Sequence, residues 1–396
     1  MKILVTGGAG FIGSHLVDAL ITAGHRVRVL DNLDPQVHGA GALRPAHLHP
    51  AAELLVGDVR DRGAVARALD GVEAVFHEAA AVGVGQSMYQ IEHYVSVNTV
   101  GAAVLLEGIV ERRQQLRKLV VASSMSLYGE GAYQAPDGRI VHPRLRTEAA
   151  LAARRFELYE AAEPPIMGAA KPPIRGAAEP PIPGLAEGQE LTPLGTPEEK
   201  PLQPTSIYAI TKRDHEEMFL AVGAAYGIPV VALRYFNVYG TRQALSNPYT
   251  GVVAIFSSRL LNRRPPRVYE DGRQTRDFVH VSDIVQANLL ALECEAAGGR
   301  IYNVGTGRAT SVLQVAETLS ELLDFAEKPE VLGTYRAGDI RHCVADISRI
   351  ERELGYRPKV AFADGLRELL AWLRTQAADD AVEAASRELA ARGLTR

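Results

Sequence analysis

The sequence predicts an α/β protein: a doubly wound parallel sheet with a smaller mixed α/β lobe in its C-terminal part. Three observations carry that expectation. Short apolar runs alternate with longer amphipathic ones as far as residue 122; the opening run leads straight into a glycine-rich turn; and the alternation resumes after a long proline-rich interruption. Strands that alternate with helices build βαβ units, and these give a parallel sheet covered on both faces.

In chain order, Ile3–Thr6, Val27–Leu30, Leu54–Val56, Ala74–His77 and Leu119–Ala122 are short, apolar and bounded by glycine, aspartate or polar residues, so each is expected as a buried strand. Between them, Ile12–Ala23 and Val95–Arg113 carry helical patterns. From about Gly129 to Gln203 the pattern breaks down. Three octapeptides follow one another here, Ala161–Gly168, Ala169–Gly176 and Ala177–Gly184, each Ala-Ala, Glu or Lys, Pro-Pro-Ile, one variable residue and Gly. Proline cannot donate to a helix or sheet ladder, and Pro-Pro favours extended geometry. Residues 131–203 are therefore expected as a surface insertion, a flexible linker ahead of a partner ligand or lid. Helical periodicity returns over Tyr208–Ala225, followed by a strand at Val230–Arg234 and, later, helices at Val312–Leu323 and Leu366–Arg374. The expected organisation is a first domain of residues 1–130 plus 204–237 and a second lobe over 238–375, with some segments returning to the first. An Ala- and charge-rich tail, 376–396, is expected as a loosely attached helix or frayed end.

Bulk properties narrow the function class. The 396 residues carry a formal net charge of −4, with 47% hydrophobic and 23% charged residues. That balance marks a globular protein and advertises neither nucleic acid nor an anionic membrane as a partner. A small basic cluster, Arg259, Arg263, Arg264 and Arg267, reads as a solvated face beside a Pro-Pro turn. Two cysteines, Cys294 and Cys343, leave no basis for a disulfide framework or a multi-cysteine metal site, and fit a reducing compartment. The N-terminal run has no signal-peptide pattern, and no uninterrupted apolar run approaches the roughly 18 residues of a membrane helix. A cytoplasmic location is expected.

The first strand is followed directly by Gly7-Gly8-Ala9-Gly10-Phe11-Ile12-Gly13, which opens a helix. Glycines there permit a tight turn, let backbone approach a pyrophosphate, and let helix pack closely on strand; the helix N-terminus offers free N–H groups to phosphate. The second strand ends at Asp31, eighteen residues past Gly13, close to the spacing of the acid that binds an adenosine ribose. A carboxylate there accepts from the ribose hydroxyls and repels a 2′-phosphate, so NAD is favoured over NADP in a Rossmann-type domain. Asp58 ends the third strand, within reach of the adenine.

Tyr208-Ala209-Ile210-Thr211-Lys212 places a phenol and an ammonium at i and i+4, on one helix face. A free tyrosine, with a pKa of about 10, is too weakly acidic to serve as a base at neutral pH. A neighbouring cation, joined by an oxidised nicotinamide ring, stabilises the phenolate. The strand Leu119–Ala122 ends in Ser123-Ser124-Met125-Ser126, and hydroxyls at the carboxyl end of a parallel strand face the crevice where ligands bind.

Together these motifs resemble the extended short-chain dehydrogenase/reductase family, particularly the nucleotide-sugar epimerases and dehydratases. Further markers are His77-Glu78-Ala79-Ala80, Asn98, Arg234-Tyr235-Phe236-Asn237-Val238-Tyr239-Gly240, Arg276-Asp277-Phe278, Asn303-Val304-Gly305-Thr306-Gly307 and Arg336-Ala337-Gly338-Asp339. The likeness spans nearly the whole chain outside the proline-rich insertion and the tail. It implies that Ser124 hydrogen-bonds the reacting sugar hydroxyl, that Tyr208 is the acid/base, and that Lys212 holds the nicotinamide ribose and lowers the phenol. It assigns to NAD the residues Gly7, Gly10, Phe11, Ile12, Gly13, Asp31, Asn32, Asp58, Val59, Ala79, Ala80, Asn98, Tyr208, Lys212, Tyr235 and Val238. To a nucleoside-diphosphate sugar it assigns Val84, Gln86, Ser126, Asn237, Val252, Tyr269, Arg276, Arg336 and Asp339, the arginines because a planar fork meets phosphate oxygens bidentately.

Dehydratases that resemble this chain carry an Asp-Glu pair just after the hydroxyl residue, and related decarboxylases usually a Glu. Here those positions are Met125 and Ser126, so elimination is disfavoured and inversion of C4 through a transient 4-keto sugar is expected. The alternatives are a 4-ketoreductase or dehydrogenase that exchanges NAD(P) each turnover, a dehydratase, and a non-catalytic NAD-sensing scaffold, which usually lacks the tyrosine or lysine. At finer level Ala80–Tyr89 and Leu245–Gly251 are similar to the dTDP-L-rhamnose 4-epimerase subgroup. That subgroup often carries paired cysteines between the serine and tyrosine motifs; this chain has none there, so no metal-stapled insertion is expected. The resemblance also implies a homodimer joined through the helices around Val95–Arg113 and Tyr208–Ala225.

Overall fold

Seven strands, each parallel to its neighbours, run side by side in the order Arg300–Val304, Val230–Tyr235, Lys118–Ser124, Ala74–His77, Lys2–Thr6, Arg26–Asp31, Glu53–Val56. The computed structural model describes residues 1–159, 189–244, 251–374 and 382–396; the three octapeptides and most of Leu245–Gly251 lie outside them. All six expected strands form, and the seventh, Arg300–Val304, lies on the edge beside Val230–Tyr235. Lys118–Ser124 and Val230–Tyr235 are buried at every position, as strands covered on both faces must be. Alternate side chains serve opposite faces: Ile3 and Val5 join one core with Leu16, Val17, Ile284 and Ala287, whereas Leu4 joins a second with Val65, Leu105, Ile109 and Phe219. Strand order reverses between Lys2–Thr6 and Ala74–His77, and at such a reversal the strand ends part to leave a ligand crevice.

The expected helix Val95–Arg113 is not one regular helix. An α-turn at Ile91–Tyr94 passes into a π-helical segment, Val95–Val100, before α-geometry resumes over Gly101–Glu111. Such a bulge inserts a residue into the turn and reorients the side chains around it. Asn98 is fully buried, its amide donating to the Ala81 carbonyl (3.1 Å) and Thr211 Oγ1 (3.0 Å) and accepting from Ala81 N–H (2.8 Å). By length and composition Ile91–Glu111 is apolar enough to cross a membrane, but it packs against Arg62–Ala68 and Ile207–Tyr226 as part of the core.

The second lobe is built on a six-stranded mixed sheet in the order Thr310–Ser311, Thr275–Arg276, His342–Ala345, Thr192–Thr196, Ala132–Gln134, Ile140–Val141. Three of these strands lie within 131–203, so both flanks of the proline-rich stretch are woven into the fold. Strands of two to five residues, one holding a proline and a glycine, show no period to read. The helices Val252–Leu261, Val312–Leu322 and Phe362–Leu373 enclose a third core. The tail forms a helix, Val382–Ala391, that buries Ala385 and Leu389.

Candidate active site

The glycine loop is a cradle made by missing Cβ atoms. Gly7 has φ +69°, and a Cβ there would stand 2.7 Å from the Ala79 nitrogen; on Gly13 it would stand 2.2 Å from the Gly7 carbonyl oxygen. Gly10 precedes the helix Phe11–Thr22 with no side chain capping it, so the first-turn N–H groups are left for a phosphate. Asp31 is buried at the end of its strand, its carboxylate accepting from Ala9 N–H (3.0 Å) and Leu33 N–H (2.9 Å). Those bonds lock the acid against the loop and leave lone pairs for ribose hydroxyls. These groups fit a dinucleotide. Asp58 is held by Arg60 at 2.7 Å and hydrogen-bonded to Asn32, and the Arg60 contacts lower its carboxyl, so it enters the crevice already paired. Val59 meets the bare Cα of Gly101, and Ala79 and Ala80 are half-buried at the crevice wall. Tyr235 donates to Glu78 (2.8 Å) and accepts from Asn288 (2.7 Å), while Val238 packs on the first core.

Ser124, Tyr208 and Lys212 come together as expected. The helix Ile207–Tyr226 starts where Ser206 Oγ accepts from Ala209 N–H (3.1 Å), and the Tyr208 N–H donates to Ser87 Oγ (3.1 Å). Tyr208 is hydrogen-bonded to Ser124, whose hydroxyl also accepts from Ser126 N–H (3.1 Å) and meets the Ser126 hydroxyl at 2.9 Å. One turn on, Lys212 Nζ donates to the Ala122 carbonyl at 2.8 Å.

The phenol's immediate surroundings oppose its ionisation. Burial pushes Tyr208 up to about 12 against the opposing Ser124 bond. Burial also pulls Lys212 down to about 8, with the Glu78 carboxylate opposing, and raises Glu78 to about 7. Desolvation of an enclosed phenolate outweighs the one hydrogen bond from Ser124 that favours it. At about 12 the phenol stays protonated near neutrality, and a positive charge beside it would favour the phenolate.

Beneath this trio lies a polar layer the sequence reading did not assign. Glu216, at i+8 from Tyr208, pairs with Arg234 at 2.5 Å and accepts from Ser123 Oγ at 2.7 Å. Arg234 also donates to the Tyr128 hydroxyl (2.8 Å), which donates to Asn303 (2.7 Å). Continuing the i, i+4 ladder past Lys212 points to Glu216, and Arg234 and Asn303 lie in the Arg234–Gly240 and Asn303–Gly307 motifs, whose spacing does not disclose these partners. Asp277 proves to be a stitch, accepting from Thr306 N–H (2.8 Å), Thr306 Oγ1 (2.7 Å) and Gly307 N–H (2.8 Å). His77 stacks on Phe219 at 5.2 Å beside His215; burial pulls His77 down to about 3 and His215 well below its usual range.

The expected substrate residues fall into groups. Arg276 donates to the carbonyls of Thr275 (2.8 Å), Ile340 (2.7 Å) and Arg341 (3.0 Å), and pairs with Asp339 at 3.0 Å. Arg336 lies 4.2 Å over the ring of Tyr269. Asn237 continues the backbone ladder to Asp277 (2.9 Å) and keeps a buried side-chain oxygen without a partner among the described residues. Gln86 accepts from Tyr94 (3.0 Å) and meets Gln36 at 3.3 Å, on the same short helix as exposed Val84; Val252 opens the helix Val252–Leu261. The basic cluster is not one solvated face: Arg259 is buried and donates to the Pro265 carbonyl at 2.7 Å, because the Pro-Pro turn folds back over its stem.

Residues 3–156 and 186–305 match the family described as NAD dependent epimerase/dehydratase. The chain is 37% identical over 374 residues to a dTDP-L-rhamnose 4-epimerase of Burkholderia thailandensis, covering 94% of each chain. It is also 30% identical over 383 residues to a dTDP-glucose 4,6-dehydratase of an Actinoplanes species, covering 94% of this chain and 98% of that one. The Thermus thermophilus UDP-glucose 4-epimerase in complex with NAD superposes with a TM-score of 0.70 at 31% identity, over 95% of this chain and 100% of that one.

Proposed function

As the chain belongs to the NAD dependent epimerase/dehydratase family, we propose that it inverts C4 of a nucleoside-diphosphate sugar with NAD as its resident cofactor. The single observation that carries the choice of reaction is the Ser124–Tyr208–Lys212 arrangement with Met125 and Ser126, and no carboxylate, directly after Ser124. Removing water across C5 and C6 needs an acid and a base beside the hydroxyl residue, and neither stands there.

When bound, NAD would supply a positive ring near the phenol and the capacity to accept and return a hydride. The Gly7–Gly13 turn and Asp31 would hold it, and Lys212, anchored on Ala122, would hold its ribose beside Tyr208. Ser124 accepts or donates at the sugar hydroxyl and fixes its direction. Tyr208, as phenolate, takes the proton from the C4 hydroxyl and gives it back once the ketone has turned. Arg336 grips the diphosphate while the sugar rotates, which keeps the 4-keto sugar from leaving. Holding the reacting groups in contact makes each hydride transfer effectively unimolecular.

The likeness to a dTDP-L-rhamnose 4-epimerase makes that sugar nucleotide the first substrate to try, with UDP-glucose second. The test is to incubate purified protein, without added NAD, with a panel of such sugars and to follow C4 by NMR. Inversion with stoichiometric bound NAD supports the reading; strict dependence on added NAD(P)H replaces it with a ketoreductase, and a 4-keto-6-deoxy product with a dehydratase. A homodimer is part of the proposal: Ile91, Val95, Val100 and Ile210 are exposed on the two helical segments expected to pair. Light scattering checks it. Both thiols are free, which fits the proposed cytoplasmic location.

A further inference from the structure

We infer that the C-terminal segment, Val382–Ala391 and the residues after it, is a positioning element of the nucleotide-sugar site: it fixes the loop that carries Arg336 and ties it across the crevice to Tyr89. The inference rests on the epimerase reading and deepens it.

The backbone comes first. Tyr335 N–H donates to the Arg396 carbonyl (2.8 Å), Arg396 N–H returns the bond (3.0 Å), and Ala337 N–H donates to Leu394 (3.0 Å). Arg336 thus faces Thr395 across an antiparallel bridge, and an otherwise irregular loop gains a strand partner. A Cβ on Gly338 in the same loop would stand 3.4 Å from the Thr205 carbonyl, three residues before Tyr208. The tail therefore anchors a loop that abuts the start of the catalytic helix.

The side chains say what the loop is for. Among the described residues no carboxylate pairs with Arg336; its guanidinium lies over Tyr269, which is itself hydrogen-bonded to Ser386 of the tail. Its Nε is buried without a partner among the described residues. A cation held over an aromatic ring, hydrogen-bonded to that ring's hydroxyl and with its Nε unpaired among the described residues, suits a diphosphate that brings two charges and several acceptors.

The other end of the segment reaches the first domain. Tyr89 donates to Glu388 at 3.2 Å, and the Arg392 guanidinium lies 4.1 Å over the Tyr89 ring. Tyr89 is two residues beyond Ser87, whose hydroxyl accepts from the Tyr208 N–H. One short segment thereby joins both walls of the crevice. Pinning a binding loop in advance reduces the ordering cost of binding, so loosening it should weaken substrate capture more than the hydride step.

The test uses full-length protein. Leu389→Asp places a charge at the buried seat of the helix. It is expected to raise KM for the sugar nucleotide about tenfold or more, with kcat within about threefold and bound NAD unchanged. On the unaltered protein, UDP or dTDP is expected to slow tryptic cleavage after the exposed Arg387 and Arg392. A wild-type KM in the variant overturns the proposal. So does an unchanged cleavage rate when calorimetry on the same sample shows the nucleotide bound. If the variant does not fold, the cleavage experiment decides. Failure of the unaltered protein to bind either nucleotide would instead remove the epimerase reading beneath it.

Discussion

Lys212 and Ala122 are joined by a hydrogen bond of 2.8 Å from the lysine ammonium to a carbonyl at the carboxyl end of a central strand. The bond sets the ammonium one turn from Tyr208 and beside Ser124, so helix and strand define the reacting position together. Neither is adjustable without moving the other.

Removing the proton carrier tests this arrangement directly. Tyr208→Phe deletes the hydroxyl but keeps the ring, and should lower turnover by about 10²–10⁴-fold while the protein still purifies with NAD. Lys212→Met should lower turnover and also shift its alkaline dependence, because one of the positive charges that favour the phenolate is gone. Initial rates of C4 inversion against pH check both.

The polar layer under the site should matter for stability. Glu216 and Arg234 are both buried, with side chains 2% and 3% exposed. Glu216→Ala leaves an enclosed guanidinium without its counter-charge, and a loss of about 3–5 kcal/mol is expected. Replacing both partners by apolar residues of similar size, Glu216→Leu with Arg234→Met, should cost less than the single change. Denaturant titrations of the three proteins measure the difference.

Acid should destabilise the fold through His77. Burial holds its folded pKa at about 3, below the ordinary value of 6.5. Its stability contribution is therefore fully present above pH 6.5 and is lost as pH falls toward 3, at up to about 1.4 kcal/mol per pH unit. Glu78 works the other way, since its folded pKa is raised to about 7 and its contribution fades as pH rises through that value. Comparing the protein with His77→Phe between pH 6.5 and 4.5 isolates the histidine: the variant should show a shallower loss. Equal slopes would mean that His77 is not desolvated as the structure has it.

Asp31 should decide cofactor choice. Its carboxylate is held by two backbone N–H groups of the glycine loop and the following turn. Asp31→Ser should lower the NAD retained through purification about tenfold or more, as one charge-assisted contact is lost. Tolerance of NADP should rise at the same time. Cofactor content measured by absorbance and enzymatic assay distinguishes the two.

What was legible in the sequence was local. Six strands of the parallel sheet, the Gly7–Gly13 turn, Asp31 after the second strand and the Tyr208–Lys212 pair all follow from side-chain period, from backbone that only glycine allows, and from a fixed spacing on one helix. Each is decided by neighbours in the chain. What only the tertiary structure decided involves partners far apart. Asn98 was named, but a π-helical turn set its amide between Ala81 and Thr211. Arg276 finds Asp339, 63 residues on. Glu216 finds Arg234, and the tail finds Tyr335 and Tyr89, through packing that no periodicity announces. The charge state of Tyr208 belongs to the same class. Spacing brings the lysine near, but how much burial opposes ionisation is a sum over every surrounding group, and that sum exists only once the chain has folded.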